Sequence, residues 1–477
     1  MDVEFKDLPE LFGPFETSIR VPEYTSIPTT GRILAVIDTR EMQRLRLIKQ
    51  LGFVESIYPG ASHSRFEHSL GVFNRACQIV KHLCESEGLL QIATSREVLK
   101  LLIGCLVHDL GHYHGAHVIE ELGKVKELRE DLSQFNHLET GYKLLTNRNS
   151  EVGAVIEDKF GFDRKEIAEY IYRKNHGGGI SGELYSLLDG PIDVDKMDYL
   201  ERDSIHTGVP YGRNYDASRL MSNFTLMRKG KRVKILLKEK GKAGAEVFIF
   251  SRYVMFSEVY WHHTSRCLSA MFRRAFVDLA HLGLKVDEII GEKVFLRNGC
   301  RYFDDQESFR VIMQMAQSGG RKTTVARQML GAIAAGREQL YKRLLILKPS
   351  GAPEGKIYEA KIISQRIVKR YMDGLESWRD LCRSVAERVG KKSGITNLKE
   401  HHILIDTPMK GDRGTTYPLY FPREGVVRDI TEVSPVARAL DTSFNELAQQ
   451  VRLYVHPQFA GAIEPNIAHE ALYDCLE

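Results

Sequence analysis

Apolar positions set the outline of the fold. Phe66, Leu70, Phe73, Ala76, Val80 and Leu83 recur at steps of three and four residues. That spacing lines one face of a helix and predicts a long amphipathic α-helix. Met42, Leu45, Leu47, Ile48 and Leu51 predict a helix before it, with Asp38 or Thr39 as its cap. Thr94-Ser95-Arg96-Glu97 is a capping box, and Val98, Leu101, Leu102, Cys105 and Leu106 follow as the inward face of another helix. Helical spacing returns around 137–147, 164–174, 193–205, 251–280, 321–346 and 357–388. Elsewhere the pattern is strand-like. Val233–Leu237 and Val247–Phe250 predict two strands joined by a Gly/Lys turn, and His402–Ile405 and Val451–Val455 predict two more. Ser434-Pro435 between these is a helix start. Residues 1–30, rich in Pro and Thr, predict an irregular arm. The expected organisation is therefore an arm at 1–30, a mainly α domain at 31–345 and a small α+β region at 346–477. There is no internal repeat and no low-complexity run.

Composition narrows the function classes. The chain has 477 residues, 43% hydrophobic and 27% charged, the balance of a soluble globular protein. It has no apolar run of about 18 residues, so no membrane span is expected. The start, MDVEFKDLPELFG, lacks the basic-then-apolar pattern of a secretion signal. A net charge of +4 argues against a dedicated duplex-DNA binder. One basic segment remains: Arg228 to Lys242 holds eight Lys/Arg against a single acid, Glu239. It reads as a solvated hairpin, or as a contact for an allosteric nucleotide or single-stranded nucleic acid. Seven scattered cysteines with no CxxC read as reduced thiols in a cytoplasm.

Histidines concentrate the chemistry. Eight of the 17 fall between His63 and His137, where even scatter would put about three. His108-Asp109 closes an apolar helix and is followed by Leu110-Gly111-His112. Adjacent helical residues point about 100° apart, so an imidazole and a carboxylate can grip one ion from two sides. Gly111 lets the chain leave the helix close to that point. His68 and Asp195 are further candidates. Two His and two Asp make a mixed N/O site suited to Mn, Fe, Ni, Zn or Mg, with positions left for water and phosphate. Alternatively, His108 caps its helix and Asp109 pairs with an Arg. The crowding of His112, His114 and His117 on the next turn favours the metal. After Pro191, Asp195, Tyr199 and Asp203 share one helix face with Lys196 and Arg202 beside it. That face suits a phosphate and a sugar, or a solvated charged surface.

The order His68…His108-Asp109…Asp195 resembles the HD-domain phosphohydrolases. Longer stretches are similar to their deoxynucleoside triphosphate triphosphohydrolase branch, in the form known with a sterile-alpha-motif domain, here without that domain. They are Gln43–Gly52, Tyr58–Gly71, His108–His112, Asp193–Tyr199 and Arg202-Asp203. The likeness is strong over roughly 31–280 and weak beyond. It implies a mainly α, HD-domain helical fold with a small β-hairpin and a small α+β C-terminal part. It implies His68, His108, Asp109 and Asp195 as metal ligands, with Mn, Fe or Mg ahead of Zn or Ni.

The resemblance also assigns roles around the metal. Arg65 and Lys196 would contact substrate phosphates, and Gln50, Tyr199 and Asp203 would lie near the sugar. Arg252 would hold a terminal phosphate, and Tyr260 would wall the sugar or base. A surface Arg and a core Tyr are the ordinary alternative for these two. His112 and His117 would lie beside the triphosphate, and His137 matches the catalytic His, with His112 and Asp195 in the same machinery. Relatives place a Glu directly after that His. Here Leu138 intervenes and Glu139 is turned by about 100° more, so either Glu139 does not orient His137 or the local backbone differs. His114 is at most an extra phosphate donor, and His63 and His176 read as structural or loop residues. Asp38, Gln43 and Arg46 match an activator-nucleotide pattern, although the Asp-Pro-Ile/Val-His-Gly signature upstream of it is missing.

The implied activity is cleavage of a dNTP to nucleoside and inorganic triphosphate in a homodimer or homotetramer. A phosphodiesterase or nuclease with a second metal, and a nucleotide sensor without turnover, are the alternatives.

Overall fold

The computed structural model describes residues 7–125, 136–175, 178–230, 232–280, 282, 304–348, 357–407, 415–447 and 450–476. His176, Lys231 and Cys300 lie outside the described residues. The helices that build the site and its surroundings run in order: α1 Arg65–Glu87, α2 Ser95–Val107, α3 Ala116–Leu122, α4 His137–Thr146, α5 Arg164–Tyr172, α6 Val194–Thr207, α7 Lys242–Met255 and α8 His263–Ala280. After them come α9 Asp305–Ser318, α10 Thr324–Ala335, α11 Ile357–Asp373, α12 Leu375–Ser393, α13 Pro435–Leu447 and α14 Pro465–Asp474. The strands are β1 Thr17–Val21, β2 Tyr24–Thr29, β3 Phe224–Lys229, β4 Arg232–Lys238, β5 Lys342–Leu347, β6 Ile403–Asp406, β7 Pro418–Phe421, β8 Val426–Asp429 and β9 Val451–Val455. The fold is mainly α with three small sheets.

Local chemistry starts and stops the central helices. Ser64 caps α1 by accepting from the Glu67 nitrogen, and Gly88 ends it at φ 68°. Thr94 and Glu97 form the expected capping box of α2. Every residue of α2 from Leu101 to Val107 is buried, so this helix runs through the core and carries His108 out at its end. Asp193 caps α6 by accepting from the Lys196 nitrogen. The largest core joins α1, α2, α6 and α7 to Tyr417, Leu419, Ile430, Leu440 and Phe444 from late in the chain. The sheet β3-β4-β7-β8 spans the same distance, with Leu237 of β4 beside Leu419 of β7 in parallel. The antiparallel sheet β5-β9-β6 has its own core with α11, α12 and α14. Among the described residues no helix is long and apolar enough to cross a membrane.

Five expectations are corrected. The arm is ordered: Pro9–Phe12 is helical and β1 pairs antiparallel with β2, because β-branched Thr, Ile and Val favour a ribbon whose Pro28 needs no inner partner. Val247–Phe250 is helical, because Phe248, Ile249, Arg252 and Met255 are buried at helical spacing. The partner of β4 is instead β3. Lys342–Leu347 pairs with β9 as a strand. The 357–388 helix breaks at Gly374, whose φ of 142° excludes other side chains. The 251–280 helix is interrupted by a π turn at Phe256–Tyr260.

Candidate active site

His68 from α1, His108 and Asp109 from the end of α2, and Asp195 from the first turn of α6 converge. His68 Nε2 is 3.0 Å from Asp195 Oδ1 and 3.9 Å from Asp109 Oδ2. His108 Nε2 is 3.4 Å from Asp109 Oδ1 and 3.8 Å from Asp195 Oδ1. Three elements far apart in sequence thus meet: ligand atoms of His68, His108 and Asp109 lie within 4.8 Å of one another, and Asp195 adjoins them through both His Nε2 atoms. His68 and Asp109 are buried, whereas the Asp195 side chain is 32% exposed. The cluster is therefore open to solvent on the Asp195 side, as a site that admits substrate must be.

Neighbouring groups fix how these ligands face. His68 Nδ1 is 2.9 Å from Asp198 Oδ2, so its N–H donates there and Nε2 is left toward the centre. His108 Nδ1 donates to the Cys105 carbonyl at 2.9 Å. Its Nε2 is buried without a hydrogen-bond partner. Arg202, fully buried, grips both oxygens of Asp198 at 2.8 Å each. A Cβ on Gly71 would lie 1.8 Å from Asp198 Oδ1 and 2.3 Å from Arg202 Nη2, so only glycine lets α1 and α6 approach here. Arg65 Nη1 donates to Asp109 Oδ2 at 2.7 Å.

The donor set fits a divalent cation. Burial pulls His68 down, yet the Asp195 and Asp198 carboxylates hold its pKa up to about 10. Burial likewise opposes Asp109 ionising, but His112, His108 and Arg65 keep it well below the usual carboxylate range. Ionised carboxylates facing two Nε2 atoms, one of them orphaned, are what a mixed N/O site presents to a metal.

A second group adjoins the first. The His112 and His137 rings stack at 4.2 Å, with His117 at 5.5 Å and 5.9 Å from them. His112 Nδ1 is 3.0 Å from Asp109 Oδ1. Burial, reinforced by Arg65, pushes the pKa of the His112 imidazole well below its ordinary value. The partner of His137 is Glu120 of α3: Oε1 is 2.7 Å from Nδ1 and accepts from the His137 backbone nitrogen at 2.8 Å. His117 Nδ1 is 3.4 Å from Glu120 Oε2. Burial opposes that carboxylate, but His117 and His137 hold it ionised far below its usual range. Glu139 points elsewhere, to Arg173 at 2.6 Å and Lys143 at 3.7 Å. Sequence reasoning missed Glu120. The available signal was its i+3 spacing from His117. Gly111 has a second reason here: a Cβ would lie 1.9 Å from the His137 carbonyl oxygen.

Other predicted residues surround this centre. Lys196 Nζ donates to Asp193 Oδ2 at 2.5 Å and the Gly190 carbonyl at 2.9 Å. Arg252, 5% exposed, is a buried residue and not a surface one. It acts electrostatically on Lys196, Tyr199 and Tyr260. Tyr199 and Tyr260 meet edge to face at 6.0 Å. Tyr260 donates to Asp203 Oδ2 at 2.7 Å, and His63 Nε2 is 2.8 Å from Asp203 Oδ1. Gln50 donates its backbone N–H to the His63 carbonyl, and its buried Oε1 has no hydrogen-bond partner. His114 turns away, among Phe53, Phe272 and Phe309. Asp38, Gln43 and Arg46 are neighbours: Gln43 Nε2 donates to the Ile37 carbonyl, Arg46 Nε to Gln43 Oε1, and the Arg46 guanidinium lies 3.7 Å over Phe66. In the basic hairpin, Arg228 donates to the Gly88 carbonyl and Lys238 to Glu87, which ties it to the end of α1.

Residues 65–203 match the HD domain, and residues 215–472, more than half of the chain, match the HD associated region. An uncharacterized protein of Methanocaldococcus jannaschii is 33% identical over 244 residues, 51% of this chain and 46% of its own. The deoxynucleoside triphosphate triphosphohydrolase SAMHD1 of Gallus gallus is 30% identical over 360 residues, 70% of this chain and 56% of its own. The chain spans about half the length of the curated relatives it matches. In fold it is similar to a phosphohydrolase from Bacteroides thetaiotaomicron, at TM-score 0.60 and 20% identity over 93% of this chain and 100% of the other. The HD domain match spans the segment that carries His68, His108, Asp109 and Asp195, and the HD associated region match covers more than half of the chain: the chain belongs to the HD-domain phosphohydrolase family.

Proposed function

We propose that the chain is a metal-dependent triphosphohydrolase that cleaves a dNTP to deoxynucleoside and inorganic triphosphate. The convergence of His68, His108, Asp109 and Asp195 beside the His112–His137–Glu120 group is the observation that carries it. The likeness to the Gallus gallus dNTP triphosphohydrolase supports the substrate class.

A nucleoside triphosphate brings about four negative charges that repel an attacking water. His68, His108, Asp109 and Asp195 would hold one divalent metal, Mn, Fe or Mg by preference. When bound, that ion would lower the pKa of its water toward 7 and neutralise a phosphate oxygen. Arg65, Lys196 and Arg252 keep positive charge around the phosphate path. Glu120 accepts from the Nδ1–H of His137, which aims Nε2 at the substrate; the Nε2–H of the imidazolium would protonate the leaving 5′-oxygen. His112 and His117 flank the triphosphate. Asp203, Tyr199, Tyr260 and Gln50 bound the sugar. Asp38, Gln43 and Arg46 would take an activating nucleotide between copies of the chain, in a homodimer or homotetramer.

The test is product identity. Metal-loaded protein is incubated with each dNTP, with and without GTP, and the phosphate products are separated. Triphosphate plus deoxynucleoside is expected. Only monophosphate or pyrophosphate, or no product, overturns the proposal.

A second reading has its own observation. His112, His117 and His137 place ligand atoms within 4.8 Å of one another, enough for a second ion and phosphodiester cleavage. Two metals per chain with hydrolysis of a cyclic dinucleotide or single-stranded nucleic acid would select it. The sensor without turnover loses its motive, because Glu120 supplies the carboxylate that Glu139 does not.

A further inference from the structure

Glu23 sits at the turn of the β1–β2 hairpin, and its side chain is 1% exposed. It reaches behind the candidate metal cluster to Arg202, with Oε2 accepting from Nη1 at 2.5 Å. The same Nη1 donates to Glu67 Oε1 at 2.8 Å. Arg202 spends its Nε and Nη2 on Asp198, and Asp198 Oδ2 accepts from His68 Nδ1. One fully buried guanidinium is therefore shared among three carboxylates, and one of those orients a candidate ligand.

We propose that Glu23 is a positioning residue for the metal centre, acting through Arg202, Asp198 and His68 in turn. The inference rests on the metal role proposed for His68. A buried cation neutralises whichever carboxylates surround it. With Glu23 ionised, part of the Arg202 charge is drawn to Nη1. Without it, Asp198 bears more of that charge and becomes a weaker acceptor for the His68 N–H. The Nε2 of His68 then becomes a weaker donor to a metal. The geometry has no slack to compensate, because Gly71 packs directly on the Asp198–Arg202 pair. Glu23, Glu67 and His206 also lie close enough to suggest a cation of their own. Arg202 already donates to both carboxylates and fills that role. The outcome is an N-terminal hairpin that tunes metal affinity without touching the metal.

The test is a Mn2+ titration of the full chain, read as loss of the free-ion signal by electron paramagnetic resonance. E23Q keeps the shape and removes the charge, and should weaken Mn2+ binding by about three- to tenfold. E23D keeps the charge on a shorter arm, and should weaken it by about two- to threefold. Glu10, buried in the same arm and bound to Arg32 and Thr30, serves as control. E10Q should keep wild-type affinity even where its Tm falls. E23Q binding within twofold of wild type overturns the inference, as does an equal loss in E10Q. If E23Q does not fold, unchanged affinity in E23D overturns it. A wild type that binds no Mn2+ overturns the metal proposal as well.

Discussion

Glu120 of α3 holds His137 of α4 by two bonds, 2.7 Å to the ring Nδ1 and 2.8 Å to the backbone nitrogen. One carboxylate thus sets both the position of the first helical turn and the tautomer of the imidazole. Substituting E120Q should lower kcat by about 10- to 100-fold, with KM little changed. E139Q should stay within about twofold of wild type, because its partners are partly exposed cations. Steady-state kinetics on the two variants separates the roles, and equal losses would contradict the assignment.

Gly71 should tolerate no side chain. An alanine Cβ would have to displace Asp198 Oδ1 and Arg202 Nη2 together. Splitting that buried pair should cost about 3–5 kcal/mol. Urea unfolding of G71A checks this, and a loss below about 1 kcal/mol would show that α1 and α6 separate more easily than their packing implies.

Acid should weaken the β5-β9-β6 end of the molecule before the helical core. Burial pushes His263 and His402 down to about 4, with the charges of His262 and His401 adding to it. Their unfolded value is about 6.5. A depressed folded pKa means the unfolded chain binds more protons, so this stability is present above about 6.5 and is lost as pH falls toward 4. Tm should therefore decline across that window, and H402N should flatten the slope. An unchanged slope in H402N would contradict the assignment.

Much of the site was legible in the sequence because it is built from local signals. The stripe Phe66–Leu83, the capping box Thr94–Glu97 and the apolar run ahead of His108 each act within one helix. What escaped depends on contacts between segments. Val247 and Phe250 look strand-like, but Phe248, Ile249 and Met255 are buried at helical spacing and decide the element. Glu120 is an ordinary surface-type residue until α4 docks beside it. Arg202 and Asp203 stood out as a pair, yet nothing in the sequence ties Arg202 to Glu23, which is 179 residues away. The arm at 1–30 has the β-branched residues of a ribbon, but its prolines pointed to an irregular chain.

The central claim is that His68, His108, Asp109 and Asp195 share one ion. Anomalous scattering from a Mn2+-soaked crystal tests it directly. The account predicts a single strong peak about 2.2 Å from His68 Nε2, His108 Nε2 and one oxygen of each Asp. No peak there, or a peak held by His112, His117 and His137 alone, would contradict it.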